Sequence, residues 1–226
     1  MLGWSYLKVV FGNPGTVPES WRPPEAGDPA AGNTGMANER EGVRINFCDR
    51  CHRWKPPRSQ HCSICQKCVL KMDHHCIWVV NCVGARNYKF FLLFLVYTFL
   101  EVLLDTLALL PSIVNSFRKV KRHSWSPGSI SVVFLAFVLN LAFMLSLLCF
   151  IAMHVSLVLR NATSIEVLEK RRAARWKYDM GRRNNFEQVF GSKVVLWFFP
   201  LFWKGDVENM PALRGLEFPT WAADEV

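Results

Sequence analysis

Two long apolar runs constrain the fold of this chain more than any other feature of its 226 residues. They cover residues 90–115 and 129–159, and each exceeds the roughly 20 helical residues that cross a bilayer core. The link between them is short and polar. This pattern predicts an antiparallel pair of membrane-spanning helices whose outer flanks lie on one side of the membrane.

Few polar side chains interrupt these runs. Glu101 and Asp105 lie one helical turn apart in the first run, so both project from one face. We expect them to face protein or water, because a charge at that depth is costly in lipid. Asn140 and His154 interrupt the second run, whose length argues against a buried helix of a soluble domain.

The distribution of basic residues predicts the orientation of the pair. The net charge of +9 suits an anionic membrane face, nucleic acid or a phosphate-bearing cofactor, and does not choose among them. More basic residues flank the two helices on the outside than lie in the loop that joins them. The positive-inside rule therefore places the segment before the first helix and the tail after the second in the cytosol. The outer set is Lys71, Arg86, Lys89, Arg160, Lys170, Arg171, Arg172, Arg175 and Lys177, and the loop carries Arg118, Lys119, Lys121 and Arg122.

Changes in composition divide the chain into segments. Residues 12–42 are rich in Gly, Pro, Ala and Asn without periodicity, as in a linker. The aromatic stretch 194–203 is too short to span and suits the membrane interface. The predicted division is a juxtamembrane segment and linker (1–43), a cysteine-rich domain (44–89), a transmembrane helix (90–115), a lumenal or extracellular loop (116–128), a second transmembrane helix (129–159) and a cytosolic tail (160–226).

The cysteine-rich domain has the spacing of a zinc module. Seven of the eight cysteines lie between Cys48 and Cys82, mixed with four histidines, and CxxC steps recur. Such steps offer paired thiolates to tetrahedral zinc and favour a reducing compartment over disulfides. Two tetrahedral sites leave three donors unused. Because the string Asp73-His74-His75-Cys76 places a spare thiol beside an imidazole and a carboxylate, a nucleophilic cysteine is also predicted.

The complete string follows C-x2-C-x9-HC-x2-C-x2-C-x4-DHHC-x5-C-x4-N-x3-F from Cys48 to Phe91 without a gap. It resembles the DHHC-type zinc-finger palmitoyltransferase, or protein S-acyltransferase, family, and a plant-like member of it. The resemblance implies Cys76 as the nucleophile, His74 as its general base and Asp73 as the residue that orients His74. His52 falls outside the pattern and is expected to be an ordinary surface residue. The implied metal ligands are Cys48, Cys51, His61 and Cys68 for one zinc, and Cys62, Cys65, His75 and Cys82 for the other.

Two later motifs extend the resemblance. Thr163-Ser164-Ile165-Glu166 stands at the family's TTxE motif, where Ser164 keeps a hydroxyl able to bond Asp73. Without the family, the same residues predict a helix start with Thr163 as N-cap and Glu166 as its capping-box partner. Further on, Asn185 matches a functionally important Asn of the family, although a surface loop with a short amphipathic turn is the alternative there.

The resemblance implies both the architecture and the activity. The expected fold is a mainly α membrane protein, a two-helix hairpin with a small cytosolic double-zinc domain of short β-hairpins and loops. The expected activity is transfer of a palmitoyl or other long-chain acyl group from acyl-CoA to protein cysteines near the membrane, with two structural Zn²⁺ ions. The expected location is the endomembrane system (Golgi or ER) or the plasma membrane. The expected partners are acyl-CoA, lipid and protein substrates, with self-association open and no nucleic acid.

The chain also departs from the family pattern. Family members usually have four spanning helices, and this sequence begins at about the end of the second, with Asn13-Pro14-Gly15 where Asp-Pro-Gly is common. This predicts a truncated or alternatively started form with a complete catalytic set and an incomplete acyl pocket. The alternative function is then a catalytically impaired membrane adaptor or regulator of such an enzyme. A ubiquitin-transfer or nucleic-acid zinc module is disfavoured, because Cys76-x5-Cys82 lacks the final CxxC of a RING.

Overall fold

Two long helices form the frame of the computed structural model, which describes residues 1–23, 46–121, 127–169 and 176–220. Helix α2 (Tyr88–Lys121) and helix α3 (Pro127–Leu159) pack against each other. Within the described residues they are the two helices long and apolar enough to cross a membrane. Both extend into the expected loop at 116–128, so that only residues 122–126 separate them, and these lie outside the described part.

The N-terminal helix α1 (Leu2–Val10) lies against the beginning of α2. The ring of Tyr6 is 5.4 Å from that of Phe94. The amide of Asn81 donates hydrogen bonds of 2.9–3.2 Å to carbonyl oxygens at the end of α1, those of Val9, Val10 and Gly12. The N-terminal segment is thereby held to the domain that carries the Cys/His residues. Of the expected linker at 12–42, residues 24–42 lie outside the described residues.

Three short antiparallel β-hairpins make up the described part of the cysteine-rich domain. Strand β1 (Asn46–Cys48) pairs with β2 (Arg53–Lys55), β3 (Gln60–Cys62) with β4 (Lys67–Val69), and β5 (His74–Cys76) with β6 (Asn81–Val83). Hairpins this small bury little apolar surface and need further support. The third hairpin obtains it from one core that joins Cys76, Val9, Phe91, Val158 and Val189. This core holds Cys76 against the base of the helix pair.

The C-terminal part folds back onto α2. It contains α4 (Ser164–Glu169), α5 (Arg182–Phe190), a 3₁₀ helix (Val194–Phe198), α6 (Lys204–Asn209) and α7 (Pro211–Arg214). Lys89 donates to the carbonyls of Phe190 and Leu201, at 3.2 and 2.6 Å, and the Tyr97 hydroxyl donates to that of Phe198 at 2.6 Å. The aromatic stretch 194–203 therefore lies alongside the first turns of α2, with exposed apolar side chains.

The two carboxylates of the first apolar run are not covered by protein. Glu101 and Asp105 are both exposed, whereas the buried face of α2 carries Val102 and Thr106. Each carboxylate is thus turned about 100° around the helix from a buried neighbour. We expected the two carboxylates to face protein or water, and among the described residues no protein covers them, which leaves contact with water.

Candidate active site

The three hairpins are copies of one pattern. Each first strand ends on a cysteine, namely Cys48, Cys62 and Cys76, at a constant spacing of 14 residues. Each cysteine opens a four-residue turn whose last residue has a left-handed backbone, with φ of 50° at His52, 52° at Gln66 and 49° at Val80. The spacing of the cysteines in the sequence already contains this repeat, but we did not predict it from the sequence.

This repeat explains the interleaved metal ligands. The turn of the first hairpin supplies Cys48 and Cys51, and the facing strands of the second supply His61 and Cys68, which are partners in register. One hairpin further on, the turn supplies Cys62 and Cys65, and the facing pair is His75 and Cys82. The structure therefore brings together the two four-residue sets that the resemblance implies. Each set could hold one metal ion.

The distances in both sets suit tetrahedral zinc. Zinc bonds of about 2.3 Å to sulfur and 2.0–2.1 Å to nitrogen give tetrahedral edges of about 3.8 Å between sulfurs and 3.6 Å between sulfur and nitrogen. In the first set, His61 Nδ1 lies 3.2–3.9 Å from three sulfurs, and Cys68 Sγ is 3.7 Å from Cys51 Sγ. In the second, His75 Nδ1 lies 3.4–3.6 Å from three sulfurs, and two sulfurs are 3.5 Å apart. Four protein ligands per site are typical of structural zinc.

Cys76 occupies the same place in its hairpin as Cys48 and Cys62 do in theirs, yet belongs to neither set. The second cysteine of its turn is replaced by Val79, and in the described part of the chain no fourth hairpin follows to supply a His/Cys pair. The turn still aims the backbone N–H groups of Trp78 and Val79 at the Cys76 sulfur. These are the donors that stabilise a thiolate in a metal-binding turn, so the third turn can stabilise one without a metal.

Asp73 and His74 stand beside this thiol. His74 Nδ1 lies 2.7 Å from Asp73 Oδ2, and the side chains of His74 and Cys76 are hydrogen-bonded. Asp73 is 2% exposed and also accepts the backbone N–H and the hydroxyl of Ser164, both at 2.9 Å. The carboxylate thus fixes the imidazole, and the imidazole faces the thiol.

These contacts shift the pKa of all three groups toward their charged forms. Burial alone would raise the pKa of Asp73, but hydrogen bonds from His74 and the Ser164 N–H outweigh it and lower the value. Burial opposes protonation of His74, yet its bonds to Asp73 and Cys76 raise its pKa to about 9. For Cys76, burial is outweighed by His74 and two backbone N–H groups, so the thiol pKa falls. The arrangement favours a thiolate–imidazolium pair.

The segment after α3 supports Asp73 through two sets of hydrogen bonds. Besides the bonds from Ser164, Thr163 and Glu166 form the reciprocal pair of a capping box, at 2.9 and 3.3 Å. Both contacts expected for this motif are present together. The start of α4 is therefore fixed at the same point where it contacts the Asp73 carboxylate.

Comparison with known proteins agrees with this geometry. A sequence model described as DHHC palmitoyltransferase matches residues 42–171. The chain belongs to the DHHC palmitoyltransferase family. It is 54% identical over 220 residues to probable protein S-acyltransferase 12 of Arabidopsis thaliana, covering 97% of this chain and 76% of that protein. Probable protein S-acyltransferase 14 of the same plant is 49% identical over 97% of this chain and 74% of its own length.

Animal relatives match a smaller share of this DHHC chain than the plant relatives do. Palmitoyltransferase ZDHHC15 of Homo sapiens is 40% identical over 168 residues, which cover 70% of this chain and 47% of that protein. The plant relatives bear out the plant-like character that the sequence suggested. The family, the two long apolar helices and the hairpin module together make this a mainly α membrane protein of the DHHC type.

Asn185 lies at a junction behind the DHHC site. It is fully buried in α5, and its amide donates to the Leu159 carbonyl at the end of α3 at 2.8 Å and to Asp179 Oδ1 at 2.6 Å. Its own oxygen accepts the N–H of Met180 at 2.9 Å. Asn185 therefore joins the C-terminal segment to α3, which a residue of a surface loop would not do, while the short amphipathic turn of that alternative is present as part of α5. His52, by contrast, is exposed, as expected.

Sequence reasoning missed the residues that join the zinc module to the membrane helices. Arg58 bonds both carboxylate oxygens of Glu166 at 2.8 Å and two oxygens of Asn161 at 2.7 and 3.1 Å. Arg58 and Asn161 both have left-handed backbones, with φ of 65° and 47°. His154, on α3, lies beside His74. Of these residues, only His154 could have been singled out from the sequence, because a histidine in an otherwise apolar run is unusual.

Proposed function

We propose that this chain is a protein S-acyltransferase that moves a palmitoyl or other long-chain acyl group from acyl-CoA to protein cysteines through an acyl-Cys76 intermediate. One observation carries the proposal. Among the seven cysteines of the hairpin module, Cys76 alone lies outside both four-ligand sets, and it alone faces an aspartate-bound histidine. A spare zinc ligand would not need that pair, whereas a nucleophile does.

The first step forms the acyl-enzyme. The Cys76 thiolate attacks the thioester carbonyl carbon of acyl-CoA, and the bond from that carbon to the CoA sulfur breaks as the bond to Cys76 forms. The CoA sulfur leaves as a thiol with the proton that His74 held. Asp73, fixed by Ser164, keeps Nδ1 of His74 occupied, so that the other ring nitrogen is the one that exchanges the proton.

The second step transfers the acyl group to the substrate. Neutral His74 takes the proton of a cysteine thiol on the substrate protein, whose sulfur attacks the acyl-Cys76 thioester. Cys76 leaves as a thiolate, which restores the resting pair with protonated His74. Thioester exchange is nearly balanced in energy, so the direction follows the supply of acyl-CoA. No redox partner is required.

The two ligand sets would hold structural Zn²⁺: Cys48, Cys51, His61 and Cys68 in one, and Cys62, Cys65, His75 and Cys82 in the other. Bound zinc supplies folding energy to hairpins that are too small to be stable alone. His75 thereby fixes the strand that also carries Cys76.

The membrane supplies the setting for an acyl donor. Each buried CH₂ of an acyl chain gains about 0.8 kcal/mol, so a long chain is held more easily beside α2 and α3 than in water. We propose that the hairpin module and the tail face the cytosol of an endomembrane or the plasma membrane, with substrate cysteines close to that surface. The exposed Arg182 and Arg183 suit either the phosphates of CoA or anionic lipid. Arg171, Arg172 and Arg175 lie outside the described residues.

The test compares adjacent residues of the DHHC string in full-length protein reconstituted in lipid and incubated with labelled palmitoyl-CoA. Cys76→Ser should abolish the hydroxylamine-sensitive label and keep the zinc, because a hydroxyl is too weak an acid to replace the thiolate. His74→Ala should lose at least about 100-fold in labelling rate and also keep the zinc. His75→Ala should lose both label and zinc. Labelling that survives in Cys76→Ser would refute the assignment. Unlabelled wild-type protein would favour the membrane adaptor instead.

A further inference from the structure

His154 is an ionisable residue in the most apolar helix of the described chain. The span Ser131–Leu159 has a mean hydropathy of 2.6, and His154 lies one and a half turns before its end. Ionisable side chains within a membrane segment are costly and mark functional sites by default. The acyl transfer described above assigns no task to this residue.

The contacts of His154 lead to the active site. Its side chain is fully buried, and Nδ1 is 2.9 Å from the hydroxyl of Tyr88, the first residue of α2. The ring packs on Phe150 and Phe91, with centroid distances of 4.6 and 5.3 Å, and lies 5.9 Å from the His74 ring. Asp73, His74 and His154 converge here: a carboxylate oxygen of Asp73 and one ring nitrogen of each histidine all lie within 4.8 Å of one another.

The second ring nitrogen of His154, Nε2, is not needed for the packing of the ring against its aromatic neighbours. Nε2 is buried and has no hydrogen-bond partner among the described residues. A phenylalanine would fill the same space against Phe91 and Phe150 without burying a polar atom at a cost. A buried polar atom without a partner, beside a reactive group, calls for a functional explanation.

The position of the His74 ring is only partly fixed by Asp73. The hydrogen bond at Nδ1 does not by itself set the tilt of the ring, and tilting about that contact would change the distance from the opposite nitrogen to Cys76. Phe91 meets the His74 ring edge-on at 5.1 Å, and His154 lies beside both rings. The Tyr88 hydroxyl in turn ties His154 to α2. The catalytic imidazole is thus held between the two membrane helices.

We propose that His154, oriented by the Tyr88 hydroxyl, is a positioning residue that holds His74 in line with Cys76 for proton exchange. This inference rests on the proposed acyl transfer. A displacement of about 1 Å at a proton-transfer group costs up to about 100-fold in rate without weakening substrate binding. The expected signature is therefore a loss in kcat for acylation of Cys76, with little change in the KM for acyl-CoA.

The test uses full-length protein in lipid and labelled palmitoyl-CoA over a range of concentrations. His154→Phe keeps the ring and removes both nitrogens, and Tyr88→Phe removes only the hydroxyl. We expect kcat to fall about 10- to 100-fold in His154→Phe and less in Tyr88→Phe, with KM changed less than about twofold. The double variant should be no slower than His154→Phe, because both changes act through one hydrogen bond. Zinc content should stay at the wild-type value.

Asn140→Ala is the matched control, since Asn140 is a polar residue of the same helix whose amide, within the described part of the chain, donates to the Ala136 carbonyl one turn away. It should label at the wild-type rate. If the wild type labels and His154→Phe matches Asn140→Ala, the inference is overturned while the proposed function stands. If His154→Phe loses zinc or fails to fold, Tyr88→Phe decides, and wild-type kcat in that variant overturns the inference. A wild type that does not label refutes the proposed function itself.

Discussion

Arg58 should be the residue outside the zinc sets whose loss most destabilises the junction between the hairpin module and the membrane helices. Its side chain is 1% exposed and the Glu166 side chain 10% exposed, with Nε of one 2.8 Å from Oε1 of the other. The aromatic rings of Tyr178 and Phe218 lie over the guanidinium, 4.5 and 4.7 Å away. Replacement of Arg58 by Met keeps much of the volume and leaves the buried Glu166 carboxylate without its salt-bridge partner, with the Thr163 N–H as its remaining hydrogen-bond donor.

The expected cost follows from this burial. Removing one partner of a buried ion pair costs about 3–5 kcal/mol in the free energy of unfolding. For a chain of this size, each kcal/mol corresponds to about 2–4 °C in the unfolding midpoint, so Arg58→Met should lower it by about 6–20 °C. The double variant Arg58→Met with Glu166→Gln should be more stable than Arg58→Met alone, because it removes the buried carboxylate that has lost its guanidinium.

Arg183 provides the matched control. It also pairs with a glutamate, Glu187, at 3.0 Å, but the pair joins neighbouring turns of α5 and the Arg183 side chain is 87% exposed. Exposed pairs of this kind contribute about 0.3–0.5 kcal/mol. Arg183→Met should therefore shift the midpoint by no more than about 2 °C. The assay is thermal unfolding in detergent followed by circular dichroism. Equal shifts in Arg58→Met and Arg183→Met would refute the reasoning.

Acid provides a second readout of the same pair. Burial alone would raise the pKa of Glu166, but the charge and hydrogen bonds of Arg58, with the Thr163 N–H, lower it below the ordinary value of 4.5. A carboxyl whose pKa is lower in the folded state stabilises the protein above its unfolded pKa and loses that contribution as pH falls through the folded pKa. The advantage of the wild type over Arg58→Met should therefore be constant at neutral pH and shrink in acid, because Glu166 takes up its proton at a higher pH in the variant, which lacks Arg58, than in the wild type.

Two further predictions concern the metal and the membrane. Purified protein should contain about two zinc ions per chain by elemental analysis. Cys82→Ser should lose both its zinc and its folded structure, because structural zinc supplies much of the folding energy of small hairpins. A folded protein with one zinc ion or none would contradict the two ligand sets. Protease added to sealed microsomes should digest the hairpin module and the C-terminal tail and spare the 122–126 link between the helices, as the flanking basic residues predict. Protection of the hairpin module would contradict the predicted orientation.

The local spacing of the sequence determined much of the chemistry. The two apolar runs are α2 and α3 because length and hydropathy suffice to specify a spanning helix. The Cys/His string is informative because metal ligands and turns are short-range features, so that Cys76 could be singled out from the motif. Ser164 reached Asp73 as the resemblance implied, since one hydroxyl replaced another.

What the sequence could not provide were contacts between segments far apart in the chain. Arg58 and Glu166 are separated by 108 positions, and Tyr88 and His154 by 66, so nothing in the local pattern pairs them. The choice between protein and water for Glu101 was left open for the same reason, because a helix repeat gives the spacing of side chains and not the direction of the neighbouring helix. Local spacing selects the residue types for zinc binding and nucleophilic attack. Only the packing of the hairpins on α2 and α3 decides which distant side chains surround Cys76, because that choice depends on how the elements bury their shared surface.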